Sequence, residues 1–112
     1  MVERRHESRI QVDLPLSVWG IETRGETFLQ KARTSDISRS GALLSEIDVA
    51  LRSGDVIGVL YAGKKARFRV AWVRYSETEP KVMAAIRLLE EDECPWEDLL
   101  PKEAKYRAAD AN

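Results

Sequence analysis

The stretch "LRSGDVIGVLYAGKKARFRVAWVRYSE", residues 51–77, decides the fold. Ser53-Gly54-Asp55 reads as a turn, because Gly accepts backbone angles that other residues avoid and Ser and Asp bond locally. A strand runs from there to Tyr61, and Ala62-Gly63-Lys64 is a tight turn. A long strand follows. In it Ala66, Phe68, Val70 and Trp72 share one face, which reads as core, and Arg67, Arg69 and Ala71 share the other. This period of two marks a strand with one side buried.

The same pattern extends in both directions. Upstream, Ile10, Val12, Leu14, Leu16 and Val18 fall on alternate positions, with Gln11, Asp13 and Ser17 between them. Pro15 has no N–H to give to a ladder, so an edge or a bulge is expected there. "TRGE" (23–26) is a turn, "TFLQKARTSDIS" (27–38) a second strand and "GALLSEI" (41–47) a short third. Downstream, "KVMAAIRLLE" (81–90) puts Val82, Ala84, Ile86 and Leu88 on one side. Six strands with short connections and no helix between them exclude βαβ units and point to an antiparallel sandwich or barrel. Closure removes the exposed edges of so small a sheet, which favours the barrel.

Only the tail reads as helical. Pro95 suits a first helical position, and Glu97 and Asp98 suit the positive end of the helix dipole. Trp96, Leu99 and Leu100 have the spacing of a stripe laid on the barrel, and Pro101 should interrupt it. The expectation is an all-β chain: a six-stranded antiparallel barrel within residues 1–94, followed by a helical tail in 95–112.

Composition narrows the function. The chain has 112 residues and a net charge of −1, so it is one domain with no global field toward nucleic acid or anionic lipid. Glu90 to Glu93, Glu97, Asp98, Glu103 and Asp110 make the tail acidic, as a solvated face would be. Cys94 is the single cysteine, so no internal disulfide forms and a reduced, cytoplasmic setting is expected. No apolar run reaches the ~18 residues of a membrane span. The only histidine, His6, and Cys94 cannot assemble a zinc site. No phosphate loop precedes a helix and no nucleophile–base pair stands out, so a binder is expected rather than an enzyme.

Two stretches stand apart. One is the leader "RHESR" (5–9), preceded by Arg4; the other is "DISRSG" (36–41), at a strand junction. Together they resemble the PilZ domain, the bacterial receptor module for cyclic di-GMP. That family carries RxxxR ahead of its first strand and [D/N]xSxxG some 20–30 residues later. Here Arg5 and Arg9 match the first motif, and Asp36, Ser38 and Gly41 the second. The resemblance spans roughly residues 3–93 and includes the order of elements. Two departures are Ala85-Ile86-Arg87-Leu88, where the family often has G-[VI]-x-F, and Ser40, where it often has Gly.

The resemblance implies a ligand-binding site of Arg5, Arg9, Asp36, Ser38 and Gly41, with Arg4 as a third cation or stacking plane. The chemistry fits those residue types. Guanidinium forks onto phosphate oxygens, bonds guanine O6 and N7, and stacks on purines. Asp36 can accept from a guanine N–H edge, Ser38 can donate or accept, and Gly41 is expected to supply a special backbone angle. The arginine leader would clamp the dinucleotide on the barrel and signal to a protein partner. Two alternatives stay open: a PilZ-like adaptor that binds protein and no nucleotide, and a small barrel binding RNA or single-stranded DNA. The second would want a basic groove with exposed aromatics, which the near-neutral charge and the apolar face of Phe68 and Trp72 argue against.

Overall fold

A computed structural model describes residues 7–21, 24–75, 77–78 and 81–101. It is all-β. The strands are β1 (Arg9–Gln11), β2 (Pro15–Ile21), β3 (Thr27–Ser38), β4 (Gly41–Ile47), β5 (Val56–Tyr61), β6 (Lys64–Tyr75) and β7 (Val82–Leu88). Their order in the sheet is β1-β3-β2-β5-β6-β7-β4, and β4 also pairs with β3. That last pairing closes β2 to β7 into a six-stranded antiparallel barrel, with β1 as an additional strand.

The extra strand comes from the break at Pro15. β1 and β2 pair with successive parts of β3, Arg9 opposite Ser38 and Pro15 opposite Arg33. Thr34, 2% exposed, bridges the gap between them. Its hydroxyl accepts from the Leu14 amide at 2.9 Å and donates to the Val12 carbonyl at 2.6 Å. The backbone groups that the strand break frees are thus bonded inside the protein, as burial requires.

The turn between β5 and β6 has Ala62 at φ 50° and Gly63 at φ 82°. Two residues at positive φ give a turn whose twist matches the strands it joins. The barrel is filled by Val18, Ile37, Leu44, Ile57, Val59, Phe68 and Val70, all essentially inaccessible. They include Phe68 and Val70 of the deciding stretch, and Ala66 on the same face is buried as well.

Trp72 does not follow them. The β6–β7 register shifts between Val70 and Trp72, and such a bulge reverses the alternation. Val73 then packs against the core, while Trp72 is 39% exposed on the outer face.

Between Pro95 and Pro101 the tail forms a tighter turn than the α-helix expected there. Among the described residues it holds a single 3-10 turn, Glu97–Leu99. Pro101 pushes the residue before it out of helical geometry, and Leu100 is extended at φ −87°, ψ 152°. Trp96 and Leu100 are buried, whereas Leu99 faces outward. The Trp96 ring stacks on Phe68 at 5.4 Å between centroids and meets Tyr61 edge-on at 6.4 Å. The segment therefore plugs the barrel with an indole and an isobutyl group. Residues 102–112 lie outside the described residues.

Candidate ligand-binding cleft

The two stretches singled out in the sequence meet on one outer flank of the barrel. Arg9 heads β1 and Asp36 lies near the end of β3; the Arg9 guanidinium donates to Asp36 Oδ1 at 2.9 Å. Antiparallel pairing of β1 with β3 sets this contact: Arg9 faces Ser38, two residues beyond Asp36 on the same side of the strand. A second tie joins the leader to the turn, since the Ser40 hydroxyl donates to Glu7 Oε1 at 2.7 Å. These two contacts tie the segment from Glu7 onward to β3 and to the β3–β4 turn. Arg4 and Arg5 lie outside the described residues.

Ser38 and Gly41 flank the two-residue connection between β3 and β4. Ser38 is 3% exposed, and its hydroxyl bonds the Gly41 carbonyl at 3.4 Å. The Ser38 carbonyl accepts from the Trp96 indole N–H at 2.8 Å. Gly41 is required for a reason other than the one expected. Its φ lies outside the left-handed region, which among the described glycines holds Gly25, Gly54 and Gly63. What excludes a side chain is space: a Cβ at Gly41 would fall 2.1 Å from the Ile86 carbonyl oxygen.

These residues border a cleft of about 670 Å³, within the range of small-molecule sites. Arg9, Ser38 and Gly41 line one side; Trp72, Ala85 and Arg87 line another. The floor is the outer face of the β4–β7–β6 sheet, where Gly41 faces Arg87 and Arg87 faces Arg69. Trp72 faces Ala85, and Ala85 faces Leu43. The absence of bulk at Gly41 and Ala85 leaves the indole accessible. The Arg74 guanidinium stands 4.8 Å from the centre of the Trp72 ring.

Trp72 and Arg87 are therefore cleft residues that the sequence reading did not identify. Ala71, Trp72 and Val73 are all apolar, so the sequence alone does not mark the register shift that turns Trp72 outward. Arg87 belongs to Ala85-Ile86-Arg87-Leu88, the stretch that departs from the family's last-strand motif.

The cleft combines the cations Arg9 and Arg87, the Glu7 carboxylate, hydroxyls and an aromatic face, while Asp36 stands beside it, held by Arg9. The pieces can bind an anion with a flat, hydrogen-bonding ring. Arg39, within the "DISRSG" turn, is drawn away from the cleft's ligand set by an ion pair with Glu97 at 2.8 Å. Other acidic tail residues also pair with the barrel: Asp92 with Arg67 at 3.0 Å and Asp98 with Lys64 at 3.4 Å. The Arg67 hydrogen bonds hold the Asp92 carboxyl below the usual carboxylate range. Burial pushes the Cys94 thiol up.

Among the described residues no cluster of histidine, cysteine or carboxylates could hold a metal ion. No helix among them is long and apolar enough to cross a membrane. No family model matches the chain, and no curated protein matches it in sequence.

Proposed function

We propose that the chain is a receptor for cyclic di-GMP, with the PilZ-like division of roles that its two motifs imply. The observation that carries this reading is the meeting of Arg9 and Asp36 at 2.9 Å beside a cleft lined by Ser38, Gly41 and Trp72. A carboxylate and a guanidinium side by side can address both faces of the ligand's chemistry. Asp36 accepts from a guanine N–H edge, and Arg9 serves phosphate or guanine O6 and N7. Trp72 adds a stacking plane for a purine. Arg4 and Arg5 complete the cationic set in this reading. Occupancy changes the surface around β1 and the β3–β4 turn, which is what a downstream protein partner would read. A free buried thiol at Cys94 is in keeping with a reduced, cytoplasmic setting.

Titration calorimetry with cyclic di-GMP and cyclic di-AMP tests the proposal. The expected result is micromolar affinity for the first, about −8 kcal/mol, and much weaker binding of the second. Arg9→Ala and Asp36→Ala should each weaken binding more than about tenfold. Arg9 is 61% exposed, so its replacement should alter stability by less than about 1 kcal/mol. No binding heat with cyclic di-GMP, or equal affinity for both dinucleotides, would overturn the reading. Failure to bind either one would leave the protein-binding adaptor as the better account.

A further inference from the structure

The opposite flank of the barrel carries a different surface. In cross-strand register Leu29 of β3 faces Trp19 of β2, and Trp19 faces Gly58 of β5. On the next outward row Lys31 faces Ser17, Ser17 faces Leu60, and Leu60 faces Lys65 of β6. Ile21 and Val56 continue this register beyond the last assigned pair. Leu29 is 74% exposed and Ile21 61%. Gly58 sets the shape: a Cβ there would fall 2.2 Å from the Trp19 ring, so glycine allows the indole to lie flat on the sheet. The result is an apolar band three strands wide, about 10 Å at the usual strand spacing.

Cations border the band on both sides. Lys31 stands on the β3 side; on the β6 side Lys65 and Arg69 stand either side of Arg67, which faces Gly58 and is paired with Asp92. Among the described residues neither lysine makes an ion pair, and the Arg69 guanidinium donates to the Gly54 carbonyl at 3.1 Å. An α-helix is about 10–12 Å across with its side chains, which matches the band. A helix whose apolar stripe is flanked by carboxylates would cover the band and meet the cations on each side.

Other occupants fit less well. An anionic bilayer would gain only a modest attraction for each basic residue near its surface, and its flat surface is far broader than the three-strand band. A second copy of this face, turned about a two-fold axis, would set lysines against lysines.

We propose that this flank docks an amphipathic, acidic helix of a partner protein, its apolar stripe on Trp19, Leu29 and Leu60 and its carboxylates on Lys31, Lys65 and Arg69. This inference is independent of nucleotide binding in the cleft. It is tested with two fluorescein-labelled peptides of roughly 20 residues, long enough to hold a helix. Both carry the same leucine stripe; one is flanked by glutamates, the other by lysines. Fluorescence anisotropy with the full chain should show the glutamate peptide binding at least about tenfold tighter. Leu29→Asp should weaken it by a similar factor, and the double variant Lys31→Glu/Lys65→Glu should reverse the preference. Both variants alter exposed side chains, and unchanged melting curves confirm that they fold. Equal binding of the two peptides, or binding of neither, overturns the proposal. So does sedimentation with phosphatidylglycerol vesicles, or self-association in the ultracentrifuge, that Leu29→Asp abolishes; these would assign the face to a bilayer or to a second copy.

Discussion

The indole N–H of Trp96 donates to the carbonyl oxygen of Ser38 at 2.8 Å, in the buried interior. This bond joins the segment after the last strand to the turn that borders the cleft. Trp96→Phe keeps a ring against Phe68 but leaves the Ser38 carbonyl without its strong donor, since the Cys94 thiol at 3.9 Å is a poor substitute. An unmet buried acceptor costs about 1–3 kcal/mol. Urea unfolding of the variant should show a loss in that range. A change near zero would mean that water reaches the carbonyl. Removal of residues 95–112 should do more, by uncovering the barrel end that Trp96 and Leu100 close, and light scattering should show aggregation.

Gly41 and Gly25 should respond to alanine for different reasons. Gly41→Ala drives a methyl against the Ile86 backbone, so β4 and β7 must part; overpacking of this kind costs roughly 1–3 kcal/mol. At Gly25 there is open space but φ is +91°, so the cost is conformational, about 1 kcal/mol. Denaturant melts of both variants check the order. Amide exchange adds a distinction: Gly41→Ala should speed exchange along the β4–β7 ladder, and Gly25→Ala should leave that ladder unchanged.

The barrel was legible because apolar residues recur with a period of two in 10–18, 66–70 and 82–88, with short turns between the remaining strands. What the pattern could not show is where the ladders shift and what bridges the gaps. Ile10 to Val18 keep the period while the strand itself breaks ahead of Pro15, and the break is held by Thr34, twenty positions or more away in sequence, a partner that no local signal names. At Val70 to Trp72 the bulge depends on how β6 meets β7, so Trp72 read as core. The short motifs located Arg9, Asp36, Ser38 and Gly41 on one flank, but the reason for Gly41 lies in β7, not in its own turn. In the tail the interruption expected at Pro101 is met, and the space between Pro95 and Pro101 holds one tight 3-10 turn.

Asp92 makes the acid limb of stability testable. Its carboxylate accepts from the Arg67 amide at 2.6 Å and from the guanidinium at 3.0 and 3.1 Å. These bonds lower its pKa, so the folded state favours the charged form. The contribution is complete above the ordinary carboxylate range and is lost as pH falls through the lowered native value. Asp92→Asn should therefore lower the urea midpoint at pH 7, and the gap from the parent should narrow as pH drops toward 3. A gap independent of pH would show that packing, not charge, is what the substitution removes.

Trp72 offers the sharpest separation of binding from folding. It is 39% exposed, its ring borders the cleft, and Arg74 lies over it at 4.8 Å. Base stacking on an aromatic side chain contributes about 1–3 kcal/mol, so Trp72→Ala should weaken cyclic di-GMP binding by roughly five- to a hundredfold in calorimetry. Trp72→Phe keeps a plane and should recover most of that loss. Because the indole stands outside the core, the melting temperature of either variant should stay close to the parent's. If Trp72→Ala binds as tightly as the parent while Arg9→Ala does not, the ligand lies on the cation side of the cleft and leaves the ring uncovered. If Trp72→Ala melts much lower, the contact with Arg74 and the neighbouring strands is structural, and the stacking role assigned to the indole is wrong.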